Sequence, residues 1–438
     1  MDPADRKKQL AMKAVFGGAI ALAVAVGGCG ASAGPMEPGR DPATEYRGGS
    51  WFDGSRFVPR TMWVVGETFS ETRPARVDHV VDLRGGFVVP PYGEGHNHWL
   101  EPALVDAYVQ TYLRDGIFYV KDHGTAPQFH DRMRPALGGP RSVDYVSAHQ
   151  GFTGPGGHPI ELVVGLAGMG ILPAEWAKSF GEGEALFVVS SGDDVERAWP
   201  RLMEGKPDFV KIFLVHSESY AARRDDPQLS PAGRGLDPDL VPAIVARAHA
   251  AHLRVSAHIV DAHDFHVAIA AGVDDIGHMP FVARDDPGSY RLADADLVAA
   301  AARRVSIATT LDWIDDDGTT EAQLAVVRDN LAHMRRAGNI IVIGTDQFRE
   351  TARVEADRIA AHHLMSNLEL LQSWAVATPR AIFPRRKIGR LAGGFEASFL
   401  VLSGDPLADF AHTGHISLRV KQGHPLTPTA AALPPLGQ

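Results

Sequence analysis

Two histidines spaced two residues apart, His96 and His98, are the first side chains whose type and spacing suggest chemistry. They follow the apolar run 86–90 and belong to the segment Glu94-Gly-His-Asn-His98. Residues i and i+2 of a β-strand point to the same face, so a strand ending here aims both imidazoles at one point. Imidazole nitrogens bind divalent metal ions well, and the pair therefore predicts a metal site. Because chance can also produce this pattern, the prediction depends on ligands at the ends of other strands.

Such ligands follow four later strand-like segments. Lys211 lies inside an apolar run, His258 and His278 each end a strand candidate, and Asp346 follows an apolar segment through Gly-Thr. Each alone has an ordinary explanation as a hydrogen-bonded or turn residue. Lys211 is harder to explain, because burying an unpaired ammonium is costly. Together, six ligand-type side chains at the ends of five strands indicate one metal centre.

The middle of the chain, residues 89–385, must position these side chains. It alternates short apolar runs with amphipathic stretches, and Asp237-Pro238 is a typical start for a helix over 240–251. Besides the strand before His96, the strand candidates are 118–120, 143–147, 209–214, 254–258, 274–278, 305–310 and 340–343. Strands that alternate with helices predict parallel βαβ units, and eight of them predict an α/β fold of the TIM (β/α)8 barrel type. The alternative is an open doubly wound sheet, which the absence of a Gly-rich dinucleotide fingerprint disfavours.

The two ends of the chain have a different sequence pattern, which predicts short strands separated by turns. Residues 45–88 include the hairpin signal Asp53-Gly54, and residues 386–425 include a turn followed by the apolar segment 398–402. We therefore predict a small β-sandwich domain formed from 45–88 plus 386–425, with a C-terminal tail over 426–438.

The first 29 residues have the pattern of an export signal. A basic segment precedes the apolar run 14–26, which is too short to span a bilayer comfortably. Val26-Gly-Gly-Cys29 resembles the lipobox of bacterial lipoproteins, so Cys29 is the expected lipidation site and residues 30–44 a flexible tether. The resemblance implies an exported protein, lipid-anchored on the periplasmic side, and Gly30 after the cysteine favours the outer membrane. The alternative is an ordinary secretory signal with an incidental cysteine.

Composition excludes some functions. Among 438 residues, 45% are hydrophobic and 22% charged, which is ordinary for a globular protein. The net charge of -10 argues against a nucleic-acid partner, which requires clustered positive charge. Cys29 is the only cysteine, so no internal disulfide can form. Any membrane contact would be through the lipid anchor only, and a homo-oligomer is not excluded.

Over about residues 45–422 the chain resembles the amidohydrolase superfamily in its binuclear form with a carboxylated lysine, near the prolidase-like and imidazolonepropionase-like branch. Three positions depart from the family pattern: Glu94 replaces an aspartate, Gly277 replaces a glutamate, and Ser398 replaces an aspartate. None of them removes a metal ligand. The matching motifs are Pro90…Glu94-Gly-His-Asn-His98, Val120-Lys-Asp122, Phe209-Val-Lys211, Ser256-Ala-His258, Gly277-His278, Gly344-Thr-Asp346, Ala377-Thr-Pro-Arg-Ala381 and Leu402-Ser-Gly-Asp-Pro-Leu407.

The resemblance implies two divalent metal ions, most often zinc, that share one bridging hydroxide. His96, His98 and Asp346 would hold the first ion, and His258 and His278 the second. Lys211, converted by CO2 to a carbamate, would bridge both. Coordination lowers the pKa of bound water from 15.7 toward about 7. Asp346 would accept the proton of the water and pass it to the leaving group.

Four further residues are candidates for the substrate side. His158 follows Gly156-Gly157 and could polarise the substrate carbonyl. His123, Tyr220 and Arg223 are candidate substrate-binding residues.

The leading hypothesis is hydrolysis of a carbon–nitrogen bond in a small molecule such as an amide, a dipeptide or an N-acyl amino acid. The alternatives are a mononuclear deaminase or a cyclic-amide or lactone hydrolase of the same fold, and, from another class, a non-catalytic binding lipoprotein.

Overall fold

The computed structural model describes residues 41–434, so Cys29 and the predicted signal lie outside the described residues. The strands, numbered in chain order, are β1 Ala43–Phe52, β2 Phe57–Val65, β3 Thr68–Ser70, β4 His79–Asp82, β5 Phe87–Val89, β6 Tyr92–Asn97, β7 Ile117–Asp122, β8 Asp144–Ser147, β9 Gly151–Thr153, β10 Leu186–Val188, β11 Phe209–Phe213, β12 Arg254–His258, β13 Asp275–Ile276, β14 Ser306–Ala308, β15 Ile340–Val342, β16 Phe399–Leu402, β17 Ile416–Lys421 and β18 His424–Leu426.

The α-helices lie mainly between the strands of the middle region. They are α1 Val105–Arg114, α2 Pro127–Met133, α3 Ile160–Gly168, α4 Trp176–Ser179, α5 Gly192–Glu204, α6 Tyr220–Arg223, α7 Val241–Ala250, α8 Ala262–Ala271, α9 Asp294–Ala302, α10 Glu321–Ala337, α11 Ala352–Ala361, α12 Asn367–Leu371 and α13 Thr378–Ile382. Within residues 41–434, no helix combines the length and the apolar composition needed to cross a bilayer.

Strands from both ends of the chain form one eight-stranded sheet. Its order is β18-β17-β16-β5-β1-β2-β3, and β4 pairs with β1. The β1–β2 hairpin turns at Asp53-Gly54, where the Asp53 carboxylate accepts backbone N–H bonds from Ser55 and Arg56 at 2.8 and 2.9 Å. Because β1 starts at Ala43, the predicted tether over 30–44 is wrong at its last two residues.

Aromatic packing joins the two ends within this sheet. The Phe399 ring of β16 lies 5.0 Å from the ring of Tyr46, 5.5 Å from that of Trp51 and 5.7 Å from that of Phe69. All four side chains are at most 2% exposed. Burial of large rings therefore stabilises the pairing of segments that are more than 300 residues apart in sequence.

The middle region contains two parallel sheets, which confirms the predicted mixed α/β class. One has seven strands in the order β10-β9-β11-β12-β13-β14-β15, and the other has the order β6-β7-β8. Two backbone hydrogen bonds connect β6 to the segment after β15: Gly95 N to Ile343 O and Asp346 N to His96 O, both 2.8 Å. The two sheets also meet between β8 and the start of β11, where Asp208 N donates to Ser147 O over 2.9 Å.

Seven of the eight predicted strands coincide with β7, β8 and β11–β15, although their limits differ by a few residues. The predicted strand before His96 is β6, and the apolar run 86–90 is not part of it. That run forms β5, which pairs with β1 and β16 in the other sheet. Pro90 and Pro91 have no backbone N–H to continue a ladder, so a separate strand, β6, begins at Tyr92. Strands β9 and β10 were not predicted from the sequence, because each has only three residues and gives little periodic signal.

Helix capping follows the sequence closely in this region. The Asp237 side chain accepts the Asp239 N–H at 3.0 Å and caps a 3₁₀ turn over Pro238–Leu240 that leads into α7. The 17-residue helix α10 begins with a capping box, in which Thr320 Oγ1 accepts the Gln323 N–H and Gln323 Oε1 accepts the Thr320 N–H.

We expect Thr320→Ala to destabilise the protein by about 1 kcal/mol, because the substitution leaves the N3 amide of α10 without its side-chain acceptor. Thr320→Ser keeps the hydroxyl and is the matched control, with an expected change of a few tenths of that value. Denaturant unfolding followed by circular dichroism measures both variants. Equal midpoints for the two variants would contradict the assignment.

Candidate active site

Two imidazoles and one carboxylate converge at the end of β6. His98 Nε2 lies 3.2 Å from Asp346 Oδ1, His96 Nε2 lies 3.4 Å from the same oxygen, and the two imidazole nitrogens are 3.4 Å apart. Ligand atoms placed ~2.0–2.1 Å from a tetrahedral Zn²⁺ are themselves about 3.4 Å apart. The spacing and the chemistry of the three donors therefore fit one divalent cation, and all candidate ligand atoms lie within 4.8 Å of one another.

The hydrogen bonds of His96 define which of its nitrogens is available. Its Nδ1 contacts the Gly277 carbonyl, and a carbonyl can only accept, so Nδ1 bears the proton. The neutral ring then presents the Nε2 lone pair to His98 and Asp346. A backbone partner on the far nitrogen is the usual means by which proteins orient a metal-ligating histidine.

His258 and His278 form a second pair beside the first. His278 Nε2 lies 2.7 Å from His258 Nδ1, and His278 Nδ1 lies 3.2 Å from the Met279 carbonyl. The ring of His278 is also 5.9 Å from that of His96. Burial lowers the pKa of His278 to about 4 and that of His258 well below its ordinary value. Both rings are therefore neutral near pH 7, the form that binds metals.

Lys211 lies within β11 and reaches the same region. Its side chain is 1% exposed, and its Nζ lies 3.2 Å from His123 Nδ1. Within residues 41–434, no carboxylate lies within ion-pair distance of this amine. Burial lowers the pKa of Lys211 to about 8. Lys211 is therefore an amine buried among imidazoles without a counter-ion, and such burial is costly for an ammonium.

Gly277 lies against two of the candidate ligands. A Cβ placed there would lie 2.8 Å from Lys211 Nζ and 3.2 Å from His96 Cε1. The missing side chain thus leaves the space that the lysine end and the imidazole occupy.

Glu94 joins the histidine strand to the segment that positions Asp346. Its fully buried carboxylate accepts the Thr345 N–H at 2.9 Å and the Ala352 N–H at 2.5 Å. Asp346 itself has a φ of +55°, a conformation that non-glycine residues adopt at a cost and only where neighbours hold them. The Glu94 hydrogen bonds, together with the bond from Asp346 N to His96 O, supply that support.

His123 lies next to the ligand candidates. Its ring stacks on that of His96 at 3.8 Å, its Nε2 lies 3.2 Å from Gly95 O, and it is 1% exposed. This burial argues against the predicted contact with substrate, because the ring has almost no accessible surface.

The other predicted substrate-side residues lie in loops after β9 and β11. The His158 ring stacks on His258 at 4.3 Å, and its Nδ1 pairs with Glu161 Oε1 at 2.5 Å, so it does adjoin the site. Tyr220 and Arg223 lie at the two ends of α6. Arg223 Nε donates to the Gly233 carbonyl at 2.8 Å, and this hydrogen bond stabilises the loop that contains both residues.

A carboxylate that the sequence analysis missed lies close to Asp346. Asp312 follows β14 and accepts a hydrogen bond from Gln347 Nε2 at 2.7 Å. Burial, and then the charge of Asp346, raise the pKa of Asp312 to about 7. The rule that ligands follow strand ends could have found it, because Asp312 lies two residues after the predicted strand 305–310.

The interior between the strands contains a polar network that was also missed. Lys121 Nζ pairs with Asp275 Oδ1 at 2.8 Å, and Asp275 accepts the hydroxyls of Ser256 at 2.6 Å and Ser306 at 2.5 Å. Ser256 Oγ lies 3.4 Å from His123 Nδ1. The network therefore connects the strand interior to the residues beside Lys211.

Comparisons with known proteins agree with this geometry. The amidohydrolase family model matches residues 208–424, which include Lys211, His258, His278 and Asp346. The matched residues make up just under half of the chain, and the match supports an amidohydrolase enzyme. Enzymes of this kind act on carbon–nitrogen bonds, so the predicted enzyme class is confirmed. No curated protein matches the sequence of this amidohydrolase.

Solved structures share the fold of this amidohydrolase at low sequence identity. A prolidase complexed with N-methylphosphonate-L-proline is 20% identical, with a TM-score of 0.65 over 88% of this chain and 100% of the prolidase. Phenylurea hydrolase B is 16% identical, with a TM-score of 0.67 over 90% and 100% of the two chains. Ochratoxinase from A. niger is 14% identical, with a TM-score of 0.67 over 88% and 95%.

We expect Gly277→Ala to lower the bound metal per chain and the hydrolytic rate at least about tenfold, because the new methyl group displaces Lys211 Nζ or the His96 ring. Gly165→Ala is the control, since a Cβ at Gly165 meets no atom within 4 Å. Elemental analysis of purified protein measures the metal. Full metal content in Gly277→Ala would show that the contact is easily relieved.

Proposed function

We propose that this amidohydrolase cleaves an amide bond in a dipeptide or N-acyl amino acid at a binuclear metal centre. The observation that supports it most strongly is the convergence of His96, His98 and Asp346, whose donor atoms are 3.2–3.4 Å apart. His258 and His278 lie beside them as a second imidazole pair.

The residues present fit two cations. His96, His98 and Asp346 would hold one, His258 and His278 the other, and Lys211 as a carbamate would bridge them, with zinc as the proposed metal. A divalent cation in such a site supplies Lewis acidity toward a carbonyl oxygen and lowers the pKa of water. The carbamate would also replace a buried, unpaired ammonium by an anion, which removes the cost of burying that charge.

Asp346 is the proposed proton carrier. Although burial opposes ionisation, the adjacent imidazoles of His96 and His98 hold the pKa of Asp346 well below its usual range, so the group is a carboxylate that can accept a proton. It would take a proton from the attacking water and deliver it to the leaving nitrogen. His158, stacked on His258 and partly exposed, would contact the substrate carbonyl from the loop side.

The substrate class is proposed from the chemistry of the structural relatives. These relatives include a prolidase complexed with N-methylphosphonate-L-proline, a Xaa-Pro dipeptidase and phenylurea hydrolase B. All three names denote action on a carbonyl carbon bonded to nitrogen. We extend that reaction class, and not any particular substrate, to this chain.

One observation favours a second candidate, a mononuclear deaminase or cyclic-amide hydrolase. Among residues 41–434, only His96, His98 and Asp346 form a group of three ligand residues with donor atoms this close. If a single ion bound at this group, Lys211 would not be a metal ligand and its amine would have only a structural role.

Substituting Lys211 separates the two schemes. We expect Lys211→Ala to reduce hydrolysis at least about 100-fold and to reduce the metal content from about two ions to about one or fewer, because the bridging ligand is lost. The exposed Lys178→Ala is the control. The assay screens metal-replete protein against dipeptides and N-acyl amino acids for released amine. Full activity and one ion per chain in Lys211→Ala would instead support the mononuclear scheme.

We further propose that the two parallel sheets close into a single TIM barrel spanning about 89–385 and that the eight-stranded sheet is a separate β-sandwich domain. The hydrogen bonds between β6 and the segment after β15 support closure. The protein would be exported and anchored to the periplasmic face of the outer membrane through Cys29, as the leader sequence suggests.

Replacing the lipidation residue tests this anchor. We expect Cys29→Ser to move the protein from the membrane fraction to the soluble periplasmic fraction and to abolish labelling with radioactive palmitate, because no thiol remains for acylation. Hydrolytic activity should be unchanged. Membrane association that persists without the thiol would rule out a lipid anchor at Cys29.

A further inference from the structure

A cavity of about 770 Å³ lies at the end of the strands opposite to the candidate active site. Its wall includes Arg254, Ser306 and Ile340, which are the first residues of β12, β14 and β15. His258, a proposed metal ligand, is the last residue of β12. The two ends of a five-residue strand are about 13 Å apart, so the cavity is separate from the metal site.

The charge of the cavity wall is opposite to that of the protein as a whole. Among residues 41–434, five arginines and two carboxylates line it, in a chain whose net charge is -10. The five arginines are Arg254, Arg303, Arg304, Arg335 and Arg380.

Neither carboxylate of the wall is available to neutralise the excess. Asp274 Oδ2 contacts His249 Nε2 at 2.9 Å and accepts the Val255 N–H at 2.8 Å. Glu369 pairs with Arg335 at 3.0 Å and caps α12 by accepting the N–H and hydroxyl of Ser366. Each therefore already has its partners within the fold.

Three of the arginines are held in place and two are free. Arg254 donates to the carbonyls of Ala381 and Asp274 at 2.8 and 3.0 Å, Arg303 donates to that of Ile269, and Arg335 pairs with Glu369. The guanidinium groups of Arg304 and Arg380 make no hydrogen bond or ion pair with any residue between 41 and 434. Guanidinium groups prefer planar, bidentate acceptors such as phosphate oxygens.

We propose that this cavity is an anion-binding site that receives a phosphate group, with Arg304 and Arg380 as its principal contacts and Arg254 as a pre-oriented one. A concave wall with several guanidinium groups fits a compact anion with many acceptor oxygens. The phosphate group belongs either to a soluble small molecule or to a lipid headgroup.

Titration of inorganic phosphate into the metal-loaded full chain tests the proposal. We expect the variant Arg304→Gln/Arg380→Gln to bind phosphate at least about tenfold more weakly than the unsubstituted protein, since each removes charge-assisted hydrogen bonds. The control Arg47→Gln/Arg336→Gln removes two exposed arginines outside the cavity and should bind as the unsubstituted protein does. Phosphate bound at the metal centre contributes equally in all three proteins.

Equal phosphate affinity in the three proteins, or no binding by the unsubstituted protein, would overturn the proposal. Thermal unfolding checks that the variants fold, and the single substitutions Arg304→Gln and Arg380→Gln give the same comparison if the double variant does not. Vesicles containing phosphatidylglycerol then distinguish the source of the phosphate in the Cys29→Ser background. Co-sedimentation that depends on the two arginines identifies a lipid headgroup, and phosphate binding without co-sedimentation identifies a soluble ligand.

Discussion

The junction between β6 and the segment after β15 is the constraint on which the candidate site depends. The first strand and the last strand of the middle region meet there through Gly95 N to Ile343 O and Asp346 N to His96 O. The buried Glu94 carboxylate adds two further bonds to backbone amides of the same segment. Because these bonds come from one short stretch, they fix Asp346 relative to the two histidines that lie 250 and 248 residues earlier in the chain.

Burial is the second determinant of the chemistry, because it favours neutral or paired forms of the polar side chains near the strand ends. Lys121 and Asp275 meet this requirement as an ion pair supported by two serine hydroxyls. Lys211 has no such partner within residues 41–434, and the imidazoles around it are neutral. A set of lone pairs and one carboxylate directed at a common point is an arrangement that a divalent cation stabilises strongly.

The two ends of the parallel strands offer different chemistry. At the carboxyl ends, histidines and carboxylates face one another, as is typical of sites in α/β enzymes of this architecture. At the amino ends, arginines exceed carboxylates around a cavity. Separating the two along the strand axis would allow one chain to bind the proposed cations and the proposed anion without direct contact between them.

The sequence alone determined the types of the ligands and the strands that present them. His96 and His98 share a strand face, and His258 is the last residue of a strand that the apolar pattern located at 254–258. Local periodicity can do this because it reports which residues share a face and where a strand ends. It also placed Lys211 in a buried strand, where an ammonium requires an explanation.

Only the tertiary structure decided which of these residues meet. Pairing between strands depends on backbone hydrogen bonds and packing over long sequence distances, which periodicity does not encode. For this reason the run 86–90 joined the other sheet, His123 was buried beside the candidate ligands, and Asp312 came close to Asp346. The close packing at Gly277 is likewise a tertiary feature, because it exists only where Lys211 and His96 have been brought together.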